Sequence, residues 1–195
     1  MHKTNFIAAL ALAGTMALPA CSARVQKDAN GKEDKVDIET PVGGIHVSND
    51  VAVSDTGLPI YPGAQLKPKA GDDHDNNQAN VNLSSFGFGL KVVALDYLSD
   101  DPPSKIVAFY SPRLAKYGKV LECHTSKDMG MDVEMDDKDS KKKSNELTCD
   151  GSSGSNVEMK VGKKDDQHVV SVKPNGKGSE FSLVFVRVHG KEADI

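Results

Sequence analysis

GLKVVALDYLSDDPPSKIVAFYSPRLAKYG, residues 89–118, sets a strand directly before a helix. In its second half Asp100 or Asp101 can cap a helix, and a proline suits the first turn. Ile106, Phe109, Tyr110, Leu114 and Tyr117 recur at helical spacing and form an apolar stripe. Gly118 is the stop. The spacing predicts one principal helix over about 102–117, with Pro112 kinking or splitting it near 108–111. Tyr110 and Tyr117 are expected to pack in the core with their hydroxyls at its rim.

The first half carries a contradiction. Phe86, Phe88, Leu90 and Val92 share one parity; Val93, Leu95 and Tyr97 share the other. A strand buried on one face does not switch parity. Either a bulge falls near Val92 and Val93, or the strand is central and buried on both faces. Gly87 and Gly89 have no third glycine to complete a dinucleotide fingerprint.

Working outward, NVNLS at 80–84 is a further strand. Strand-like runs also fall at 119–126, 146–150, 157–161, 168–173 and 181–188, and 131–136 alternates as a marginal one. FSLVFVRV, residues 181–188, is the most apolar of them and belongs mid-sheet. Asn175-Gly176 marks the last hairpin turn. DDKDSKKKSN, 136–145, reads as a solvated loop. The class is therefore α+β, a mostly antiparallel β-sheet with the helix packed on it.

On the N-terminal side, Pro59 and Pro62 bracket Ile60-Tyr61, and Pro62-Gly63 favours a turn. The core is expected over 58–190. Residues 36–53 alternate on either side of Gly43-Gly44 and read as a hairpin turning there; the two glycines lack the lysine and helix of a phosphate loop. His46 is expected to face outward. Residues 36–190 make a single domain. Residues 21–35 are polar and charged, and read as a flexible tether reaching roughly 20 Å.

The beginning of the chain has its own anatomy. Met1-His2-Lys3 is a short positive region, residues 6–18 are apolar or small, and small residues precede Cys21. Residues 1–20 read as an export signal. A membrane-spanning helix needs about 20 apolar residues, and this run is shorter. Leu18-Pro19-Ala20-Cys21 resembles the lipobox of bacterial lipoproteins, with Leu18 and Ala20 matching and Pro19 less usual between them. The resemblance implies cleavage before Cys21, a diacylglyceryl thioether on its sulfur and a fatty-acylated N-terminus. Ser22, where an aspartate would favour retention in the inner membrane, implies the periplasmic face of the outer membrane. Three acyl chains would hold the protein firmly, whereas one binds marginally.

Removing residues 1–20 from 195 leaves 175 and takes one lysine, Lys3, from the 24 basic residues, so 23 basic face 28 acidic ones. A mildly acidic chain without tryptophan argues against nucleic-acid binding and against electrostatic adhesion to anionic lipid. The membrane partner is met through the lipid, and a periplasmic protein partner is possible. Cys123 and Cys149 remain as an even pair in an exported chain, and a disulfide between two neighbouring strands is expected. It would stabilise by roughly 3 kcal/mol. The other reading is a thiol nucleophile or metal ligand, for which no paired spacing exists.

Asp72, Asp73, His74 and Asp75 are weak metal candidates, without the spaced pattern of a calcium loop. Met129, Met131 and Met135 with His124 are soft ligands that suit copper, though methionine also serves ordinary packing. Gly-x-Ser-x-Gly, His-Glu-x-x-His, a Walker loop and Cys-x-x-Cys are missing from the sequence. No cofactor is expected. LPIYPGA at 58–64, the prolines after Asp100-Asp101, then Phe109-Tyr110 and Tyr117-Gly118, resemble a pattern in exported bacterial proteins without assigned activity. The expectation is a non-enzymatic binding or scaffolding lipoprotein. A periplasmic enzyme or enzyme accessory with a dispersed site, and a metal-binding lipoprotein, are the alternatives.

Overall fold

The computed structural model describes residues 21–27, 33–48, 51–68, 78–85, 87–126, 145–149 and 153–190. The chain order is β1 (Ser22–Lys27), β2 (Glu33–Thr40), β3 (Gly43–Ser48), a 3-10 turn (Val53–Thr56), β4 (Gln65–Leu66), β5 (Gln78–Ser85), β6 (Phe88–Ser99), α1 (Pro103–Leu114), a 3-10 turn (Ala115–Tyr117), β7 (Leu121–Thr125), β8 (Asn156–Lys163), β9 (Asp166–Asn175) and β10 (Gly178–His189). The strands form one sheet in the order β1-β2-β3-β5-β6-β10-β9-β8-β7, with β4 continuing the β5 edge of β6. Every pairing is antiparallel. This is a mostly-β fold with one helix, consistent with α+β.

The parity switch of β6 is settled by register. Its pairing with β5 and with β10 runs without a shift, so there is no bulge. Val92 and Val93, adjacent and on opposite faces, are both buried. β6 lies mid-sheet beside β10, and its two halves serve different faces. From Val93 to Tyr97 the apolar residues point toward α1. From Phe88 to Val92 they point away from it.

On the helix side, β6, β10, β9 and β8 contribute Leu95, Tyr97, Phe181, Leu183, Val170, Val172, Met159 and Val161 to one core. Ile106, Tyr110 and Leu114 of α1 close it, as their helical spacing predicts. Aromatic rings fill its centre. Tyr97 stacks on Phe181 at 5.4 Å, Tyr61 meets Phe109 edge-on at 5.0 Å, and Tyr110 lies 5.8 Å from Phe181. Such pairs contribute about 0.5–1.5 kcal/mol each beyond their area. The 51–64 connection lies over the same core, with Leu58 and Tyr61 buried.

The helix is not split at Pro112: it continues to Leu114 before tightening into the 3-10 turn. It departs from expectation at its end. Arg113 stacks on the Phe109 ring, 3.3 Å from its centroid, and donates to the Phe109 carbonyl. Tyr117 is not core: it is 44% exposed, its hydroxyl donates to the Gly57 carbonyl at 2.6 Å, and its ring covers His168.

Three further expectations change. The 21–35 segment expected as a tether contains β1 and the start of β2. β1 is exposed throughout, yet Ala23 and Val25 stand opposite Ile38 and Val36, an apolar cross-strand register that composition alone conceals. The first hairpin forms, but its turn is Pro41-Val42. Gly43 opens β3, where an added Cβ would lie 2.0 Å from the Ser84 carbonyl oxygen, so the glycine serves close strand approach. Residues 145–149 are irregular rather than a strand. Cys149 is nevertheless bonded to Cys123 of β7, with Cα atoms 5.5 Å apart. The last turn is as expected, with Gly176 at φ 59° between β9 and β10. Residues 131–136 and most of 136–145 lie outside the described residues.

Candidate functional site

β1, β2, β3, β5 and the first half of β6 form a wing whose two faces differ in kind. Register aligns Val25, Val36, Val47, Val81, Val92 and Val186 across the sheet in one row. A second row aligns Ala23, Ile38, Ile45, Leu83, Leu90 and Val188. Neither row contains a charge. On the opposite face the corresponding row is Arg24, Asp37, His46, Asn82, Lys91 and Arg187. His46 faces outward as expected, with its Nδ1 2.7 Å from Asp37 Oδ1. α1 packs on β8, β9 and β10 and does not reach the wing. Among the described residues no helix or strand covers the wing's apolar face. Val25, Ile45 and Phe88 on it, and Val42 in its turn, account for four of the seven exposed large hydrophobic residues, so exposed apolar surface concentrates here.

Cys21 is exposed and immediately precedes β1. It is the one unbonded cysteine, since Cys123 and Cys149 are paired with each other. Asp72, Asp73, His74, Asp75, Met129, Met131 and Met135 lie outside the described residues. His124 stands in β7 with its Nε2 3.4 Å from Glu122. Among the described residues no group of three or more His, Cys, Asp or Glu side chains is placed to hold a metal.

Three polar clusters escaped the sequence reading because their members are far apart in the chain. On the outer face of β6, β10 and β9, Glu180 receives Lys67 at 2.8 Å and Lys173 at 3.3 Å, while Ser182 donates to Asp96. Burial pushes the Asp96 carboxyl above its usual range, against the Ser182 hydroxyl and Lys67. At the start of α1, Asp101 accepts from Lys105 at 2.6 Å and from Tyr61 at 2.7 Å. The Lys105 bond, then the Tyr61 bond, lowers its pKa. This ties the 58–64 loop to the helix. The third is His168, buried under Tyr117, with its Nδ1 2.9 Å from the Thr56 carbonyl and its pKa lowered chiefly by burial. Each cluster satisfies its own members and joins separate elements, which is what a positioning network does.

A cleft of about 500 Å³ opens between residues 119–121, 145–147 and 162–163. Lys119, Lys163 and Glu146 line it together with the apolar Val120, Leu121 and Leu147.

No protein-family model matches the chain, and neither a curated protein nor a solved structure matches it. Among the described residues no helix is long and apolar enough to cross a membrane.

Proposed function

We propose that the chain is a lipid-anchored domain of the cell envelope, held at the periplasmic face of the outer membrane through an acylated Cys21. There it binds or scaffolds rather than catalyses. The stretch Leu18-Pro19-Ala20-Cys21 supports the anchor. The observation that carries the reading is the position of Cys21: exposed, unbonded, and one residue ahead of a sheet wing with two apolar cross-strand rows that carry no charge. An apolar face that no described helix or strand covers, and that exposes Val25, Ile45 and Phe88, is a docking surface by its physics, since burying it is favourable and leaving it in water is not. Three acyl chains at the head of that wing would hold it at a membrane.

Replacing Cys21→Ala tests the anchor. The variant is expected in the soluble fraction of the envelope while the parent stays with membranes. Membrane association that survives the substitution contradicts it. Mild crosslinking of the lipidated protein tests the binding role.

A further inference from the structure

We infer that the apolar face of the N-terminal wing lies on the lipid surface itself, so that the domain is docked flat rather than suspended. This rests on acylation of Cys21 as proposed above and names the partner of that face. Four features of the wing converge on it.

The first is the absence of slack. Cys21 is bonded directly to Ser22, the first residue of β1. Extended chain advances roughly 3.3 Å per residue, so Val25 lies only about 13 Å along the strand from the anchored residue. An acylated sulfur at the headgroup boundary therefore brings the wing edge there with it.

The second is parity. Cys21 precedes Ala23 and Val25 by two and four residues, and the alternation of β1, extended by one residue, gives all three the same side. Lipid and apolar face leave the sheet in one direction.

The third is position. β1 pairs Ser22 with Glu39 as its first pair, so Cys21 lies one residue beyond it, at the end of the sheet where Thr40 begins the next row. That row continues through Gly43, Ser85 and Phe88. Phe88, 44% exposed, ends it, and Val42, 48% exposed, sits in its turn. Two of the most exposed apolar side chains thus lie at the anchored end of the sheet.

The fourth is charge. Arg24, Lys35, Asp37 and Glu39 alternate with the apolar residues of β1 and β2 and stand on the opposite face, toward water. The apolar rows carry none. This is the segregation of an interfacial element, which seats its apolar side some 5–10 Å into the headgroup and acyl boundary.

The chain contains no tryptophan, so one introduced indole reports alone. The lipidated protein is reconstituted into phosphatidylethanolamine–phosphatidylglycerol vesicles as Ile45→Trp, on the apolar face, or His46→Trp, the adjacent residue on the other. Iodide quenching is compared with the soluble Cys21→Ala form of each. On reconstitution, Ile45→Trp is expected to lose about threefold or more of its iodide quenching and to be quenched by acyl-brominated lipid, as burial at the interface requires; His46→Trp is expected to change little. Val25→Trp and Arg24→Trp give the same contrast on β1 if the first pair fails to fold.

Equal quenching of both indoles, with an acylated Cys21 verified by mass, overturns the docking and leaves the anchor standing. An unmodified Cys21 overturns the anchor and this inference with it. Concentration-dependent protection of Ile45→Trp in the soluble form assigns the face to a second copy of the chain and overturns lipid docking.

Discussion

Tyr110→Phe removes one hydroxyl from the middle of the core. Tyr110 is completely buried on α1, and its hydroxyl donates to the Pro59 carbonyl at 3.0 Å, pinning the 58–64 loop to the helix. The ring contacts with Phe109 and Phe181 survive the substitution. What is lost is one hydrogen bond to the carbonyl of exposed Pro59, a cost of about 1 kcal/mol. For a chain of this size that is a fall in Tm of about 2–4 °C. Tyr110→Ala also removes the ring and leaves a cavity, costing about 3–5 kcal/mol. Thermal unfolding of parent and both variants, followed by far-ultraviolet circular dichroism, reads the difference. A Tyr110→Phe transition within a degree of the parent would refute the reasoning, because the loop would then be held by something other than this bond. So would a loss as large as that of Tyr110→Ala.

His168 is held neutral by burial, so its folded pKa lies below the ordinary 6.5, and its contribution is present above that pH and lost below it. Acidification from pH 7 to 5 is expected to destabilise the parent more than His168→Asn, which can donate to Thr56 but does not titrate; equal losses would count against the assignment. Asp96 is the opposite case. Its raised folded pKa means the ionised form is disfavoured, a penalty absent below the usual carboxylate range and present above it. Asp96→Asn keeps the Ser182 acceptor and is expected to raise Tm at pH 7 with a smaller gain at pH 3; a loss at pH 7 would show that the two lysines need both carboxylates. Reducing Cys123–Cys149, which closes a separation of 26 residues, is expected to lower stability by about 3–4 kcal/mol in urea unfolding. An unchanged midpoint would place the 145–149 segment outside the cooperative unit.

Much of the core was legible because its signals are local. The helical spacing of Ile106, Tyr110 and Leu114 found α1, and the alternation around 168–173 and 181–188 found the strands beneath it. The double parity of β6 left two readings. Only the register of its neighbours chooses between them, since a strand's own sequence does not say which faces its partners cover. β1 was missed for the same reason: Ala23 and Val25 are too few to read as a strand until Val36 and Ile38 stand opposite them. Pro41-Val42 turns the hairpin, while Gly43 beside it serves the close approach to Ser84. The Glu180, Asp101 and His168 clusters join residues dozens of positions apart, and no spacing in the chain announces them.

The anchor is tested most directly by the mass of the N-terminal peptide from membrane-extracted protein. The expected peptide begins at Cys21, lacks residues 1–20, and carries the added mass of a diacylglyceryl group and an N-acyl chain. A peptide that still begins at Met1, or one that begins at Cys21 with an unmodified thiol, would contradict it.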